Sequence, residues 1–400
     1  MKRRGRLRLL LFWMFLFLGF QTGVWAMLLD DLVSDFHLSP GQLGMALTLQ
    51  SGAGLLSLWL GGRIADKAGR KPLALLGIGG TGIFFISLAF VERDPALLAV
   101  FFAGGIFISW YDMIANTLGG DYERNYSSYV MTHLHAAFSG EAAAGAWASG
   151  LLLARGVTYT KIYLLTGSAL VLLAVLFLMV PLPGKSGESR EDGGDFAGEK
   201  QRPGLKKGLS VILFAGTMVA LCFFIDGSLE GFLSLYLRGF LQSGPLLGGI
   251  GIASLHFSAM IGRLSSSALI EKAGESRILI FSGLIASVGI AVVILTSSPV
   301  VAACGLLGVG FALSPVAPVS FSLASRAIPG RGARSVSIVT GAGYLSFIVG
   351  PVLIGRVAEI GSLQTSFGLL LVSSVMILFL AVTGLASGVT KTGGRPTLRR

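Results

Sequence analysis

Charge is what this chain lacks. Asp, Glu, Lys and Arg make up 13% of its 400 residues, about half the share of an average soluble protein. A soluble chain of this length would fold as two or three domains with charged surfaces, and there is too little charge here to cover them. Cysteine is nearly absent. Cys222 and Cys304 show no metal-ligand spacing and no disulfide framework, and read as small buried apolar residues. The chain has no Walker loop, no paired Cys/His cluster and no nucleophile elbow. That excludes an ATP-driven pump and a membrane hydrolase. The sequence implies no enzyme, no cofactor and no metal.

What is present is apolar: 53% hydrophobic residues, with 57 Gly and 26 Phe. Glycine is frequent in transmembrane helices because it lets backbones approach closely. A helix needs about 20 apolar residues to cross the hydrocarbon core. The breaks between apolar runs place spans at 9–33, 39–62, 72–91, 95–118, 132–155 and 160–182. A second set falls at 208–237, 244–268, 277–298, 299–323, 334–357 and 364–386. The expected fold is all-α: a polytopic membrane protein of twelve helices in two pseudo-symmetric six-helix bundles, 1–182 and 208–400, the latter with a basic tail. Between them, 183–207 is rich in Gly, Pro, Ser and alternating charge. It opens at Pro181-Leu182-Pro183-Gly184, which cannot continue a helix, and reads as a linker loop.

The two sets are copies. At an offset of 205 residues Pro40 meets Pro245, Gly44 meets Gly249, and Gly105 meets Gly310. Gly145, Gly150 and Gly156 meet Gly350, Gly355 and Gly361, and Asp66-Lys67-Ala68-Gly69 meets Glu271-Lys272-Ala273-Gly274. A fixed self-similarity of this length marks a duplicated structural unit, the architecture of alternating-access transporters when each copy holds six spans.

With both termini on one side, 25 of the 31 Lys and Arg fall on that side, five on the other, and Arg263 lies within a span. The positive-inside rule makes the rich side cytoplasmic. The net charge of +11 is thereby explained without nucleic acid, because the basic residues are scattered over short loops rather than gathered on one face. Lys2 to Arg8 followed by an apolar stretch imitates a signal peptide. The run continues to Leu29, however, and supplies the counterpart of 208–237, so it reads as the first span. The expected location is a bacterial inner membrane, and the expected assembly a monomer.

Gly62-Arg63-Ile64-Ala65-Asp66-Lys67-Ala68-Gly69-Arg70-Lys71 resembles the signature loop between helices two and three of the major facilitator superfamily, with Ala68 where an aromatic is usual. The resemblance extends over nearly the whole chain. It implies that Gly62, Asp66, Arg70 and Lys71 belong to a cytoplasmic gate. Gly62 also reads as a point of close backbone approach. Asp112 through Asn116 in the fourth span, and Asp226-Gly227 with Leu235-Tyr236-Leu237 in the seventh, resemble elements of the fucose-permease-like branch. The first span departs from that branch, which carries an acid near the position of Ala26.

Charges within the bilayer are costly and tend to face a cavity. Asp112 is the first candidate for a proton carrier, with Asn116 one turn on along the same face. The alternative is a permanent structural pair with His135 or Arg124. Asp226 and Glu230, four apart, share a face of the seventh span and should titrate together, holding a proton, a sodium ion or a polar solute. Alternatively, Glu230 pairs with Arg238 or Arg356. Glu141, on a small-residue face, reads equally as a coupling acid or as one end of an interhelix hydrogen bond. Gln21, Trp25, Tyr111, Asn116 and His256 are candidate solute contacts, with packing as the alternative. Arg263 lies close enough to the cytoplasmic end to snorkel. The expected activity is proton-coupled symport of a small polar solute, a sugar or related metabolite. The alternatives are proton-coupled efflux of an amphipathic compound, and a transporter-shaped receptor or assembly factor. Two departures from the drug antiporters of the superfamily it resembles weigh against efflux: the fourth span lacks the arginine they usually carry, and the glycine run of the fifth lacks the proline of their motif.

Overall fold

The computed structural model describes residues 2–92, 94–126, 130–179 and 205–386. They are helical from end to end, with short turns and no strand among them. The chain runs α1 (Lys2–Asp35), α2 (Pro40–Ala68), α3 (Arg70–Leu88), α4 (Asp94–Tyr126), α5 (Met131–Ala154), α6 (Tyr159–Leu178) and α7 (Leu205–Ser234). A π-helical stretch, Leu235–Phe240, continues α7. There follow α8 (Pro245–Ala273), α9 (Glu275–Leu295), α10 (Pro299–Leu313), α11 (Val316–Ala327), α12 (Gly332–Ile360) and α13 (Leu363–Ala386). α10 and α11 are two segments of one span, so the described residues hold twelve transmembrane helices. Among the described residues eleven spans are long and apolar enough to cross a membrane. The remaining helix, α5, carries His133, His135 and Glu141 among alanines and glycines and packs between α1 and α8. Residues 183–204 of the expected linker and 387–400 of the expected basic tail lie outside the described residues.

Local chemistry sets the helix ends. Pro40, Pro245 and Pro299 each occupy the first turn of a helix, where a missing N–H costs nothing. Ser39 and Gln42 form a reciprocal capping box ahead of α2. Gly69 and Gly274, one repeat length apart, close α2 and α8 with φ of 89° and 84°, a region that L side chains avoid. The stretch read as a gate loop is thus a single-residue hinge between two helices. The bundle accordingly has a proline end and a glycine-turn end.

Within the first six helices α1 packs on α5, α2 on α4, and α3 on α4 and α6. The second set repeats this: α7 on α12, α8 on α10, and α9 on α10 and α13. Glycines permit the close approaches. A Cβ at Gly105 would strike the Gln50 carbonyl, and one at Gly310 the Leu255 carbonyl, so the duplicated glycines do the same work in each copy.

Across the interface α5 meets α8 and α2 meets α12. The repeat is visible here too. Gly150 stands against the carbonyl of Pro245, and Gly355 against that of Pro40. Further cross-links gather at the proline end. Ser39 Oγ donates to Glu359 Oε1 at 2.7 Å, and Thr48 Oγ1 to the Ile348 carbonyl at 2.8 Å. Arg238 pairs with Asp31 and lies 3.6 Å from Asp30. At the glycine-turn end the ion pairs among the described residues stay within one set of helices: Arg70 with Asp121, and Arg326 with Glu275 at 2.5 Å. The two sets are clasped at the proline end.

Candidate functional site

The acid that the sequence placed first, Asp112, is half-buried on α4 and accepts 2.9 Å from Asn116 Nδ2. Among the described residues it forms no ion pair with His135 or Arg124, since Arg124 goes to Asp121 instead. Tyr344, on α12 of the other set, lies within its field. This is one polar centre, on the side of α4 that looks toward the other set.

The second centre is on α7. Asp226 and Glu230 share a face with Cys222, whose thiol is 3.8 Å from Asp226 Oδ2 and 3.7 Å from the Leu313 carbonyl. Facing them is Arg263 of α8, within the field of Asp226, Glu230 and Cys222. Its Nη1 donates 3.3 Å to the His135 carbonyl on α5. Glu230 therefore faces Arg263, while Arg238 goes to Asp30 and Asp31 and Arg356 to Glu359 at 3.1 Å. His256 lies two turns along α8 from Arg263 and within its field; it is 8% exposed, and its Nε2 has no hydrogen-bond partner among the described residues.

Arg263 is half-buried and reaches across to α5, a partner that its place along α8 does not reveal. Its signal was there, as a lone cation in an apolar span that faces a span bearing two acids. On insertion scales a charge at mid-bilayer costs about 2.5–3.5 kcal/mol. Asp112, Asp226, Glu230 and Arg263 together would then cost on the order of 10 kcal/mol, comparable with the whole stability of a domain. All four are half-buried rather than fully enclosed, which lessens that cost.

Beside this centre the tenth span breaks. α10 ends at Leu313 and α11 starts at Val316, because Pro315 has no N–H to continue the ladder. The sequence reading had one continuous helix. Ser314 Oγ satisfies the Phe311 carbonyl at 2.9 Å, and the Cys222 thiol reaches that of Leu313. Broken helices at membrane depth are tolerated where they line a cavity or lie buried in protein, and they mark transporter binding sites.

Other candidates fall elsewhere. Tyr111 is fully buried, and its hydroxyl donates to the Met14 carbonyl at 2.7 Å. Trp25 packs among Phe84, Phe85 and Phe101. Gln21 donates to the Leu18 carbonyl at 3.1 Å and borders a 160 Å³ groove between α1, α5 and α6. All three sit within the first set of helices, where packing holds them. α5 turns Phe138, Ala142 and Gly145 to α1, and Gly140 and Gly150 to α8. Helical phase therefore puts Glu141 with Ala144 and Ala148 on the flank bordering that groove, away from Arg263. Among the gate residues, a Cβ at Gly62 would meet nothing among the described residues. Asp66 is exposed and in no ion pair among the described residues. Arg70 holds Asp121, and Lys71 Nζ donates 2.7 Å to the Leu178 carbonyl at the end of α6.

The family model of the Major Facilitator Superfamily matches residues 10–351. An uncharacterized MFS-type transporter of Yersinia pestis is 25% identical over 378 residues, covering 94% of each chain. The enterobactin exporter EntS of Shigella flexneri is 40% identical over 68 residues, 16% of this chain and 17% of its own. Among solved structures, a mutant of the nucleoside transporter NupG superposes with TM-score 0.75 at 16% identity, over 94% of this chain and 99% of its own. A bacterial homolog of the human lysosomal transporter Spinster, inward-facing and occupied, gives 0.73 at 16% identity over 98% and 99%. At such identities the two structures speak to the fold alone.

Proposed function

The chain belongs to the major facilitator superfamily, and we propose that it is a secondary active transporter carrying a small polar solute together with a proton. Its two halves, 1–182 and 208–400, rock about the interface. The family are transporters and not enzymes, so the polar centres serve binding and coupling rather than covalent chemistry. The observation that carries the reading is the mixed-charge centre of Asp226, Glu230 and Arg263 beside the break at Pro315. Asp226 and Glu230 are close enough to feel one another, so they exchange protons as a unit. Arg263 supplies the counter-charge, and its grip on α5 ties the state of the centre to the opposite half. Asp112 is the second proton-bearing group, held by Asn116 and seen by Tyr344 across the interface.

The positive-inside rule places the glycine-turn end and both termini in the cytoplasm of a bacterium. The clasp at the proline end then corresponds to a cytoplasm-open conformation, with Asp66 waiting for a partner that it gains when the halves close over it. A second reading, proton-coupled efflux, draws support from the local similarity to the enterobactin exporter, and the same centre would serve it.

The test is uptake by the purified protein in proteoliposomes, alkaline inside and acidic outside, bathed in a mixture of small polar metabolites. Mass spectrometry of the lumen should show one class accumulated, and a protonophore should abolish the accumulation. Accumulation only under the reversed gradient would favour efflux. Accumulation of nothing in either direction would defeat the transport reading.

A further inference from the structure

Arg263 faces two carboxylates and touches neither. Opposite charges in a poorly solvated interior ordinarily close to contact, because each gains several-fold in attraction as the dielectric falls. Here no ion pair within 4.0 Å joins Arg263 to Asp226 or Glu230, although it lies in the field of both. Its one hydrogen bond among the described residues is to the His135 carbonyl. A guanidinium has five N–H donors, and the described residues engage one from this guanidinium. The two acids are as sparsely bonded. Asp226 has only the weak Cys222 thiol contact, and Glu230 has no hydrogen bond among the described residues. The groups that face Arg263 are Asp226, Glu230 and Cys222 from α7, His135 from α5, and His256 from its own helix. His256 adds a second, independent sign of an incomplete site. It is 8% exposed, and its Nε2 lacks a partner among the described residues, a state that is costly unless something bound supplies one.

Resting on the transport reading above, we propose that the centre receives a small zwitterion, its amine against Asp226 and Glu230 and its carboxylate or like anion on Arg263. Such a ligand bridges the gap with charge-assisted hydrogen bonds at both ends, which are about twice as strong as neutral ones. The charge count supports it. Two ionised acids and one arginine leave one negative charge. A zwitterion leaves that sum unchanged, so one proton on the acid pair completes neutrality in the loaded site. A monocarboxylate would satisfy Arg263 and repel the acids. A simple amine would satisfy the acids and leave Arg263 bare. A neutral polyol meets both only with dipoles. Like-charge juxtaposition of this kind is how a site rejects near relatives of its ligand.

The experiment is thermal stabilisation of the purified full chain by a fixed panel: the common L-amino acids, their methyl esters, their N-acetyl derivatives, and hexoses and ribonucleosides as neutral polyols. A ligand bound only by the folded protein raises Tm by mass action. The proposal expects at least one intact zwitterion to stabilise the wild type, while its ester and its N-acetyl form bind more than about tenfold more weakly. Arg263→Gln should abolish the response, and Arg263→Lys should restore part of it. The unliganded Tm and a monodisperse elution profile report whether each variant is folded, and the wild-type panel stands without them. Stabilisation by polyols alone, equal response to a blocked form, or no response to any zwitterion would each overturn the proposal. Proton-linked uptake of another solute class would still leave the transport reading intact.

Discussion

Arg263, rooted in α8, donates from Nη1 to the carbonyl of His135 on α5 at 3.3 Å. A charge from the second half thus holds the backbone of the first at membrane depth, facing the two acids of α7. Substituting it tests both functions at once. Arg263→Gln leaves two carboxylates without a counter-charge, and breaking a buried charge relationship from one side costs about 3–5 kcal/mol where burial is complete. Half-burial lessens this, so the variant is expected to fold with a lowered Tm and to lose solute-dependent transport. Arg263→Lys keeps the charge and forfeits the fork geometry, and should recover stability more than transport. Circular dichroism melts and proteoliposome uptake on the same preparations would check the difference.

Asp112 carries a different expectation. Asp112→Asn mimics a permanently protonated group and can still meet Asn116. Concentrative uptake should vanish while exchange of solute between two filled compartments continues. If vesicles bearing Asp112→Asn still concentrate solute under a pH gradient, the coupled proton lies with Asp226 and Glu230 alone.

The proline end should yield to a small steric change. Gly355 abuts the Pro40 carbonyl, so Gly355→Leu must hold α2 and α12 apart there. The population should move toward forms open at the proline end. Spin-label distances across that end would lengthen, with labels across the glycine-turn end closing. Asp31→Asn, which weakens the pair with Arg238, should act in the same direction but less strongly, by about 1–2 kcal/mol in the balance of states.

Asp66→Asn should do the opposite. Asp66 is exposed here, so its loss costs this conformation nothing and penalises only the state in which it is engaged. Labelling of cysteines placed at the glycine-turn end should rise and transport should fall. Labelling and flux both at wild-type level would remove Asp66 from the gate.

Much of this was legible from residues alone. The offset that pairs Pro40 with Pro245 and Gly69 with Gly274 reappears as matched helix starts and matched positive-φ turns. Gly150 and Gly355, paired in the sequence, occupy equivalent positions on the two flanks of the interface. Such features survive because glycine and proline act through the backbone, where one residue decides the geometry. Side chains acting at a distance were harder to read. Arg263 was judged by its depth along one helix, but its partners come from α5 and α7. Tyr344 gave no signal, since nothing local ties it to Asp112. Trp25, Tyr111 and Gln21 read as solute contacts because aromatic and amide groups serve both roles; here Trp25 packs on Phe84, Phe85 and Phe101, Tyr111 donates to Met14, and Gln21 donates within its own helix. The break at Pro315 had a signal in Ser314-Pro315, but the apolar run on both sides hid it.

The most direct test of the central claim is proton movement driven by solute. Proteoliposomes enclosing a pH-sensitive dye, at equal pH on both sides, would receive from outside the solute that the uptake screen identifies. Wild type should acidify the lumen in proportion to solute entry, and the double substitution Asp226→Asn with Glu230→Gln should remove that acidification while the protein remains folded. Solute entry with no change in luminal pH in the wild type, or full acidification in the double variant, would contradict the assignment of the coupled proton to this centre.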